Sequence, residues 1–273
     1  MDDNGHKSGY LMLITPERVF YAGLLGRPRE RCSGAFNIYV SIEGGLWLTT
    51  ADGRKSYGEM IAVLPNIRHT VASDYRSVLS FVVEPESVRP GALEDLVRRL
   101  SGPESAAFTS RIRAAYRKLR EQEGGNDFSS AELDLLCLGE ALPQRVLDPR
   151  VARAIVQIGR FSGEPVTAAS CAVEARLSSS RFLHLFKEET GISFRSFRAW
   201  KRARHLLHFA NQDINLAHLA QDIGYPDSTH FSHSIRRFYG LKPRAIFSGS
   251  RDLAIYSSSR VSADNSGWTQ EAS

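Results

Sequence analysis

The feature that most constrains the fold of this chain is an internal repeat near its C-terminal end. The segment LSSSRFLHLFKEETGISF, residues 177–194, matches PDSTHFSHSIRRFYGLKP, residues 226–243, at an offset of 49 residues. Each segment begins with a side chain that can cap a helix, continues with apolar residues at helical spacing, and ends in glycine followed by an apolar residue. This pattern predicts two equivalent capped helices.

A short helix is predicted upstream of each capped helix. The upstream segments are VTAASCAV and INLAHLAQ, in which Val166 aligns with Ile214 and Ala172 aligns with Ala220. Small residues at such positions let two helices approach closely, so each unit is predicted to be a helix-turn-helix. The intervening segment, residues 193–210, has the pattern of a single helix. Two units mounted on it could enter successive major grooves of DNA, about 34 Å apart.

The charge distribution points to the same part of the 273-residue chain. Residues 148–248 contain 15 Lys and Arg against 8 Asp and Glu, whereas the remainder contains 20 against 22. A cationic domain in an otherwise balanced chain favours a polyanionic partner such as double-stranded DNA. No long apolar run or basic amphipathic helix lies outside the predicted cores, so we expect no membrane partner.

The cysteines and the N-terminal residues indicate the compartment. Cys32, Cys137 and Cys171 are odd in number and far apart, which predicts neither a disulfide framework nor a zinc site. The first ten residues, MDDNGHKSGY, contain no apolar stretch, so we expect no secretory signal. These observations predict a cytoplasmic protein without a metal or other cofactor.

The N-terminal part of the chain has a different pattern. Residues 10–85 contain brief apolar runs, such as FNIYVSIEG and SVLSFVVEP, separated by Gly, Pro, Asn and Asp. That spacing is typical of a β-sandwich or barrel. Residues 92–147 change to helical periodicity in three segments. The tail, residues 249–273, is rich in Ser, Asn, Asp and Gly and is expected to be mobile.

The motifs in residues 148–247 resemble those of the AraC/XylS family of bacterial transcription regulators. The matching patterns are A-x5-S-x3-F-x3-F-K-x3-G at residues 172–191 and I-x5-A-x3-G-Y-x-D-S-x2-F-S-x7-G-x2-P at residues 214–243. In addition, GEMIAVLPNIRH at residues 58–69 is similar to a segment of the small cupin-type barrel that many members use to sense an effector. The sequence departs from the family at His184 and His233, where members often have arginine.

This resemblance implies an α+β protein with three parts. An N-terminal cupin-like β-barrel for effector binding or dimerisation is expected at residues 1–90, and a helical connector at residues 91–147. An all-α double helix-turn-helix domain is expected at residues 148–248, before the tail. The implied function is DNA-binding regulation of transcription, as an activator or as a repressor. The implied partners are double-stranded promoter or operator DNA, RNA polymerase, a small-molecule effector and a second copy of the chain.

The exposed faces of the two capped helices are the expected DNA-reading surfaces. Lys187, Arg236 and Arg237 are expected to hold phosphates, while the serines and histidines could contact phosphates or bases. An apolar Leu183 could touch a thymine methyl group or pack on a neighbouring loop. The predicted DNA-binding residues are Ser179, Ser180, Arg181, Leu183, His184, Lys187, Ser228, Thr229, Ser232, His233, Arg236 and Arg237.

Two alternatives to an effector-controlled regulator remain at this point. A catalytic cupin fused to a DNA anchor would need two closely spaced histidines, a carboxylate and a later histidine around a metal. Within residues 10–85 the single histidine is His69, which could equally be a turn residue, so no metal ligands and no catalytic residues are predicted. The second alternative is an architectural DNA binder without a sensor. The residues expected to line an effector pocket are Arg31, Phe36, Tyr39, Trp47 and His69.

Overall fold

The computed structural model of the protein describes residues 9–121, 127–160 and 166–258. The N-terminal part is rich in β-strands and the remainder is mostly helical, which confirms the α+β organisation predicted from the sequence. The first eight strands are β1 (Leu11–Ile14), β2 (Arg18–Leu24), β3 (Phe36–Ser41), β4 (Leu46–Thr50), β5 (Lys55–Gly58), β6 (Met60–Val63), β7 (His69–Ser73) and β8 (Ser77–Val83).

The strands form two sheets and do not close into a barrel. A ninth strand, β9 (Ala254–Ser257), completes the larger sheet, whose order is β6-β3-β8-β2-β1-β9. The smaller sheet has the order β5-β4-β7. Paired strands run antiparallel, except that β9 lies parallel to β1. The N-terminal domain is therefore a pair of open sheets.

The position of β9 corrects the expectation that the whole tail from residue 249 is mobile. Ala254–Ser257 pair with Leu11–Ile14 over four residues, because the short run AIYS can supply hydrogen bonds to the open edge of β1. Its Ile and Tyr also favour extended backbone. Residues 259–273 of the tail lie outside the described residues.

The central strand β3 is buried on both faces. Successive side chains of a strand point to opposite faces, and Phe36, Ile38 and Val40 lie in the core on the outer side of the larger sheet. Tyr39 instead lies in the core formed with Leu46 of the smaller sheet. The larger sheet is thus covered by helices on one side and by the smaller sheet on the other.

The covering helices belong to the connector. Their caps are defined by the sequence; for example, Ser129 and Glu132 form a capping box at the start of the third helix. Arg18 of β2 pairs with Asp134 of that helix through an Nε to Oδ1 contact of 2.7 Å, and both side chains are buried. This ion pair ties the helix to the sheet. The connector helices are α1 (Ala92–Leu100), α2 (Ser105–Glu121) and α3 (Ser130–Leu138).

Among residues 149–160 and 166–258, seven further helices form the C-terminal domain around two separate cores. One core lies among the first three helices and the start of the fourth, and the other lies among the remaining helices. The segment predicted as one helix at residues 193–210 is α7 followed by a 3-10 turn at Leu206–Phe209. The helices are α4 (Pro149–Arg160), α5 (Ala168–Glu174), α6 (Ser179–Thr190), α7 (Phe194–His205), α8 (Leu216–Asp222), α9 (Ser228–Tyr239) and α10 (Pro243–Gly249).

The second of these cores continues into the N-terminal domain. Ala35, which precedes β3, is fully buried in the same cluster as Trp200 and Phe238. In a neighbouring cluster, Ile14 of β1 packs with Ala210. The helices from α7 to α10 are therefore packed directly on the larger sheet.

Candidate nucleic-acid interface

The first helix-turn-helix unit consists of α5 and α6. Helix α6 begins after Ser178, whose Oγ accepts a hydrogen bond from the backbone N–H of Arg181 at 3.3 Å. It ends at Gly191, which has the left-handed φ of 77° that favours glycine. Phe182 and Phe186 are fully buried, so the opposite face of the helix is turned to solvent.

The second unit consists of α8 and α9. Asp227 caps α9 with Oδ1, which accepts hydrogen bonds of 2.8 Å from the backbone N–H groups of Thr229 and His230. Hydrogen bonds from the backbone and side chain of His230 lower the pKa of Asp227 below its usual range, which keeps this cap ionised. Gly240 ends the helix with a φ of 68°.

The bounds of the two recognition helices confirm the repeat. Helices α6 and α9 each contain 12 residues, and their first and last residues both differ by the predicted offset. Phe231 and Ile235 of α9 are buried, as are their counterparts in α6. The local pattern of caps and apolar positions was therefore sufficient to predict both helices.

The residues predicted to contact DNA lie on the outer faces of α6 and α9. Eleven of the twelve are exposed, while Ser232 is partly buried. Leu183 retains 40% of its exposure, so its side chain remains accessible to a thymine methyl group. The contacts of these residues with DNA stay predictions.

Two further cations lie beside the second recognition helix. Arg236, Lys242 and Arg244 surround a hollow of about 220 Å3, which Ser228 and Ser232 also line. Cations and hydroxyl groups of this kind suit phosphate oxygens. Lys242 and Arg244 were not among the residues predicted from the sequence, although both lie shortly after Gly240, which ends α9.

Not every basic residue of the C-terminal domain faces solvent. Lys201 of α7 contacts Glu84 Oε2 and Glu86 Oε1 of the N-terminal domain, each at 2.5 Å from Nζ. The Nε atom of Arg204 lies 2.9 Å from Glu84 Oε1. These four residues form an interdomain ion cluster, and Trp200 donates from Nε1 to Glu84. Part of the positive charge counted from the sequence therefore holds the two domains together.

A loop of the N-terminal domain lies against the C-terminal end of α9. The backbone N–H of Cys32 donates to the carbonyl oxygen of Arg237 at 2.7 Å. Gly240 fits closely here, since a Cβ at that position would lie 2.9 Å from the carbonyl oxygen of Arg29. The second recognition helix is thus held directly by residues 29–32.

A cavity of about 540 Å3 lies between the N-terminal domain and the second helix-turn-helix unit, and is called the interdomain cavity below. Of the residues predicted to line an effector pocket, Arg31 and Tyr39 line this cavity. His69 lies next to them, with Nε2 at 3.2 Å from the Tyr39 hydroxyl. Phe36 lies on the opposite face of β3, and Trp47 is 48% exposed in the smaller sheet, so these two are not part of the cavity.

Hydrogen bonds fix the protonation of the pair beside the cavity. His69 Nδ1 lies 2.8 Å from the carbonyl oxygen of Ile67 and donates to it, so Nε2 accepts from the Tyr39 hydroxyl. Burial lowers the pKa of His69, and the positive charge of Arg31 lowers it further. Burial also raises the pKa of Tyr39. Both side chains are therefore neutral near pH 7.

The described part of the chain contains neither a metal-binding cluster nor a membrane-spanning helix. Within residues 9–121, 127–160 and 166–258, no group of three or more His, Cys, Asp and Glu side chains is placed to hold a metal ion. None of the helices described there is both long enough and apolar enough to cross a membrane.

Comparison with known proteins supports the assignment of the C-terminal domain. A family profile described as "Helix-turn-helix domain" matches residues 171–248. The chain is 29% identical over 157 residues to the HTH-type transcriptional activator RhaS of Escherichia fergusonii. That match covers 53% of this chain and 55% of RhaS, so it spans about half of either protein.

Solved structures resemble both the whole chain and its C-terminal part. A variant of apo ToxT from Vibrio cholerae has 12% identity and a TM-score of 0.54, covering 85% of this chain and 97% of that chain. This likeness concerns the fold. A Chromobacterium violaceum regulator described by its AraC-type DNA-binding domain has 19% identity and a TM-score of 0.35, covering 38% of this chain and 92% of that chain.

Four observations indicate a helix-turn-helix DNA-binding domain. They are the repeated motifs, the two capped recognition helices, the matched profile and the similarity to RhaS. Residues 171–248 thus form a helix-turn-helix domain, and the motifs of residues 172–243 resemble those of AraC/XylS regulators.

Proposed function

We propose that this protein regulates transcription by binding a promoter or operator with both recognition helices. Helices α6 and α9 would enter successive major grooves on one side of double-stranded DNA. The observation that carries the proposal is the pair of equivalent helices with buried apolar faces and exposed polar and basic faces. A structural helical bundle has no need for two such faces in the same register.

The exposed side chains divide into two groups by chemistry. Lys187, Arg236 and Arg237 are cations that would hold phosphates and position the protein. Ser180, Thr229 and the neighbouring short polar residues would read base edges together with Leu183 and the two histidines. Affinity would then come mainly from the first group and sequence preference from the second.

The N-terminal domain is proposed to control DNA binding through an effector or through pairing with a second copy. Its direct contact with the end of α9 supports this, because a ligand that changes the contact changes the position of a recognition helix. The RhaS relative is named a transcriptional activator, which supports activation as the mode of action. Contact with RNA polymerase is part of the same proposal. The protein would act in the cytoplasm, without a catalytic step.

Changes at the residues assigned to phosphates test the proposal. Lys187→Ala and Arg236→Ala are expected to weaken binding to every DNA sequence, because each removes a cation that displaces counterions from DNA. The slope of log affinity against log salt should fall in magnitude by about one unit for each phosphate that is no longer neutralised. DNA affinity measured by fluorescence anisotropy at several salt concentrations gives this slope.

A matched control is Arg54→Ala, because Arg54 is an exposed arginine far from the helix-turn-helix units in sequence and lies in the turn after β4. This change should leave affinity and slope unaltered. If Lys187→Ala or Arg236→Ala altered the preferred base at one position without changing the slope, the phosphate assignment would be wrong. If both Lys187→Ala and Arg236→Ala left DNA binding unchanged, the assignment of the DNA-binding faces to α6 and α9 would be wrong.

A further inference from the structure

The outer face of the smaller sheet carries two exposed aromatic side chains. Trp47 of β4 is 48% exposed and Tyr57 of β5 is 56% exposed, and their ring centroids lie 4.5 Å apart. The two residues are directly opposite each other in the strand register, so both project to the same side of the sheet. Neither is among the described lining residues of the interdomain cavity. Exposed tyrosine and tryptophan are enriched at protein interfaces relative to the rest of a protein surface.

The surrounding structure holds the Tyr57 ring in one position. Its hydroxyl donates to Asp74 Oδ2 at 3.0 Å, and the same oxygen accepts from the backbone N–H of Gly45 at 2.9 Å. The ring lies over Gly45, since a Cβ at that position would lie 2.3 Å from the tyrosine Cζ. A side chain that is already fixed loses little conformational freedom when it binds a partner. The aromatic pair is therefore preorganised for contact with another molecule.

Strand β5 beside this pair is an edge strand without a second neighbour in the described part of the chain. In the turn that precedes it, the backbone N–H of Thr50 donates to the carbonyl oxygen of Arg54 at 3.0 Å. Hydrogen-bonded residues alternate along an antiparallel pair, so Ser56 faces β4. The backbone N–H and C=O groups of Lys55 and Tyr57 consequently point to the free edge. Such an edge is a template for pairing with another strand.

The charges along β5 identify the partner strand that fits this edge. Lys55 and Glu59 lie two residues before and two residues after Tyr57, and both are exposed. A two-fold axis through two Tyr57 residues would place Lys55 of each copy opposite Glu59 of the other. Lysine on an edge strand usually opposes pairing, but here it would meet a carboxylate. Glu59 contacts Arg113 through Oε1 and remains 59% exposed, so it can accept a second cation.

We propose that β5 pairs antiparallel with β5 of a second copy of the chain, centred on Tyr57. The smaller sheets of both copies then form one continuous sheet, and the two Tyr57 residues exchange backbone hydrogen bonds. The two aromatic pairs meet on one face, with a pair of opposite charges on each side of them. The regulatory meaning of this pairing rests on the proposed function, because joined N-terminal domains bring two DNA-binding domains to one promoter.

Charge reversal tests the proposed register on the full-length protein without DNA. Sedimentation equilibrium should show that the unmodified protein dimerises reversibly. Lys55→Glu would set carboxylates against each other at both ends of the paired strands, and Glu59→Lys would do the same with ammonium groups. Each change should raise the dissociation constant of the dimer by roughly 10-fold or more. An equimolar mixture of the two variants should dimerise as tightly as the unmodified protein, because every charge then faces its opposite.

Two controls accompany these variants. Lys118→Glu reverses an exposed charge on α2, away from the smaller sheet, and should leave the dissociation constant unchanged. Circular dichroism of each variant shows whether it is folded, which matters for Glu59→Lys because this change also removes the contact with Arg113. If Glu59→Lys does not fold, Lys55→Glu decides: a weakened dimer supports the pairing, and an unchanged dimer refutes it.

Several results would overturn the proposal. These are an unmodified protein that stays monomeric up to about 100 μM, a dimer that neither charge reversal weakens, and a mixture of the two variants that stays monomeric. A dimer that Lys118→Glu weakens as much as Lys55→Glu would also refute it, because the contact would then lie elsewhere. A protein that is monomeric but binds its DNA site with both recognition helices would leave the proposed function intact, so the two failures are distinguishable.

Discussion

Replacing Lys201 by methionine is expected to lower the free energy of unfolding by about 3–5 kcal/mol, the cost of leaving buried charges without a partner. Lys201 Nζ lies 2.5 Å from an oxygen of both Glu84 and Glu86, and both carboxylates are buried. Methionine would fill the space but would leave Glu86 without its cation and Glu84 with Arg204 alone. Equilibrium unfolding in urea measures the decrease.

The pKa directions within the interdomain ion cluster give this change a pH dependence. Burial would lower the pKa of Lys201, but Glu84 and Glu86 raise it, so its contribution to stability persists until the pH rises through that raised value. For Glu84, burial is outweighed by Lys201 and Arg204, which lower its pKa. The stability that Glu84 contributes is therefore present above about pH 4 and is lost as the pH falls through its lowered pKa.

Glu86 acts in the opposite direction. Burial raises the pKa of Glu86, so its ionisation costs stability as the pH rises from its ordinary value towards the raised one. Without Lys201 this cost increases, and Lys201→Met should be most harmful at neutral pH and least harmful in acid. Lys118→Met, an exposed change on α2, is the matched control and should have little effect. Equal decreases in stability for the two variants would show that the cluster does not hold the domains together.

Replacing Asp134 by alanine is expected to lower the free energy of unfolding by about 3–5 kcal/mol as well. Its carboxylate accepts two hydrogen bonds from Arg18, at 2.7 and 2.8 Å, and one from the backbone N–H of Leu142 at 3.1 Å. Alanine would leave a buried guanidinium and a backbone donor without their acceptor. Because this pair joins β2 to α3, the N-terminal domain and its connector should unfold together at lower urea.

The exposed pair of Asp95 and Arg98 on α1 provides the comparison for Asp134→Ala. Both side chains are more than half exposed, so water compensates when either partner is removed. Asp95→Ala should therefore lower the free energy of unfolding by no more than a third of the decrease that Asp134→Ala causes. Similar effects of the two variants would mean that the Arg18 pair contributes no more than a surface ion pair.

The C-terminal domain could be predicted closely because its signals are local. The caps Ser178 and Asp227, the terminating glycines and the apolar spacing all lie within single segments of the chain, and they fix both recognition helices. Because the unit is repeated, each of these signals occurs twice in the sequence. The exposed faces followed from the same spacing, since residues that do not lie on the buried stripe of a helix face outwards.

The arrangement of the N-terminal domain depends on contacts between distant residues, which no local pattern contains. Strand alternation predicted that β3 is extended but not which face meets the helices. Phe36 was therefore assigned to a pocket that Tyr39, on the opposite face of the strand, lines instead. Likewise, Glu84 and Lys201 are 117 residues apart, and nothing near either residue indicates the ion cluster. The pairing of β9 with β1 was hidden in the same way by the polar composition of the tail.

Selection of DNA sites from a random pool by the full-length protein tests most directly whether α6 and α9 read DNA together. We predict enrichment of a site with two conserved segments whose centres lie about 10 base pairs apart, one turn of the double helix. Thr229→Ala in α9 should relax the sequence preference in one segment, and Ser180→Ala in α6 should relax it in the other. No enrichment at low salt, or one segment that is indifferent to both changes, would contradict the joint reading of DNA by the two helices.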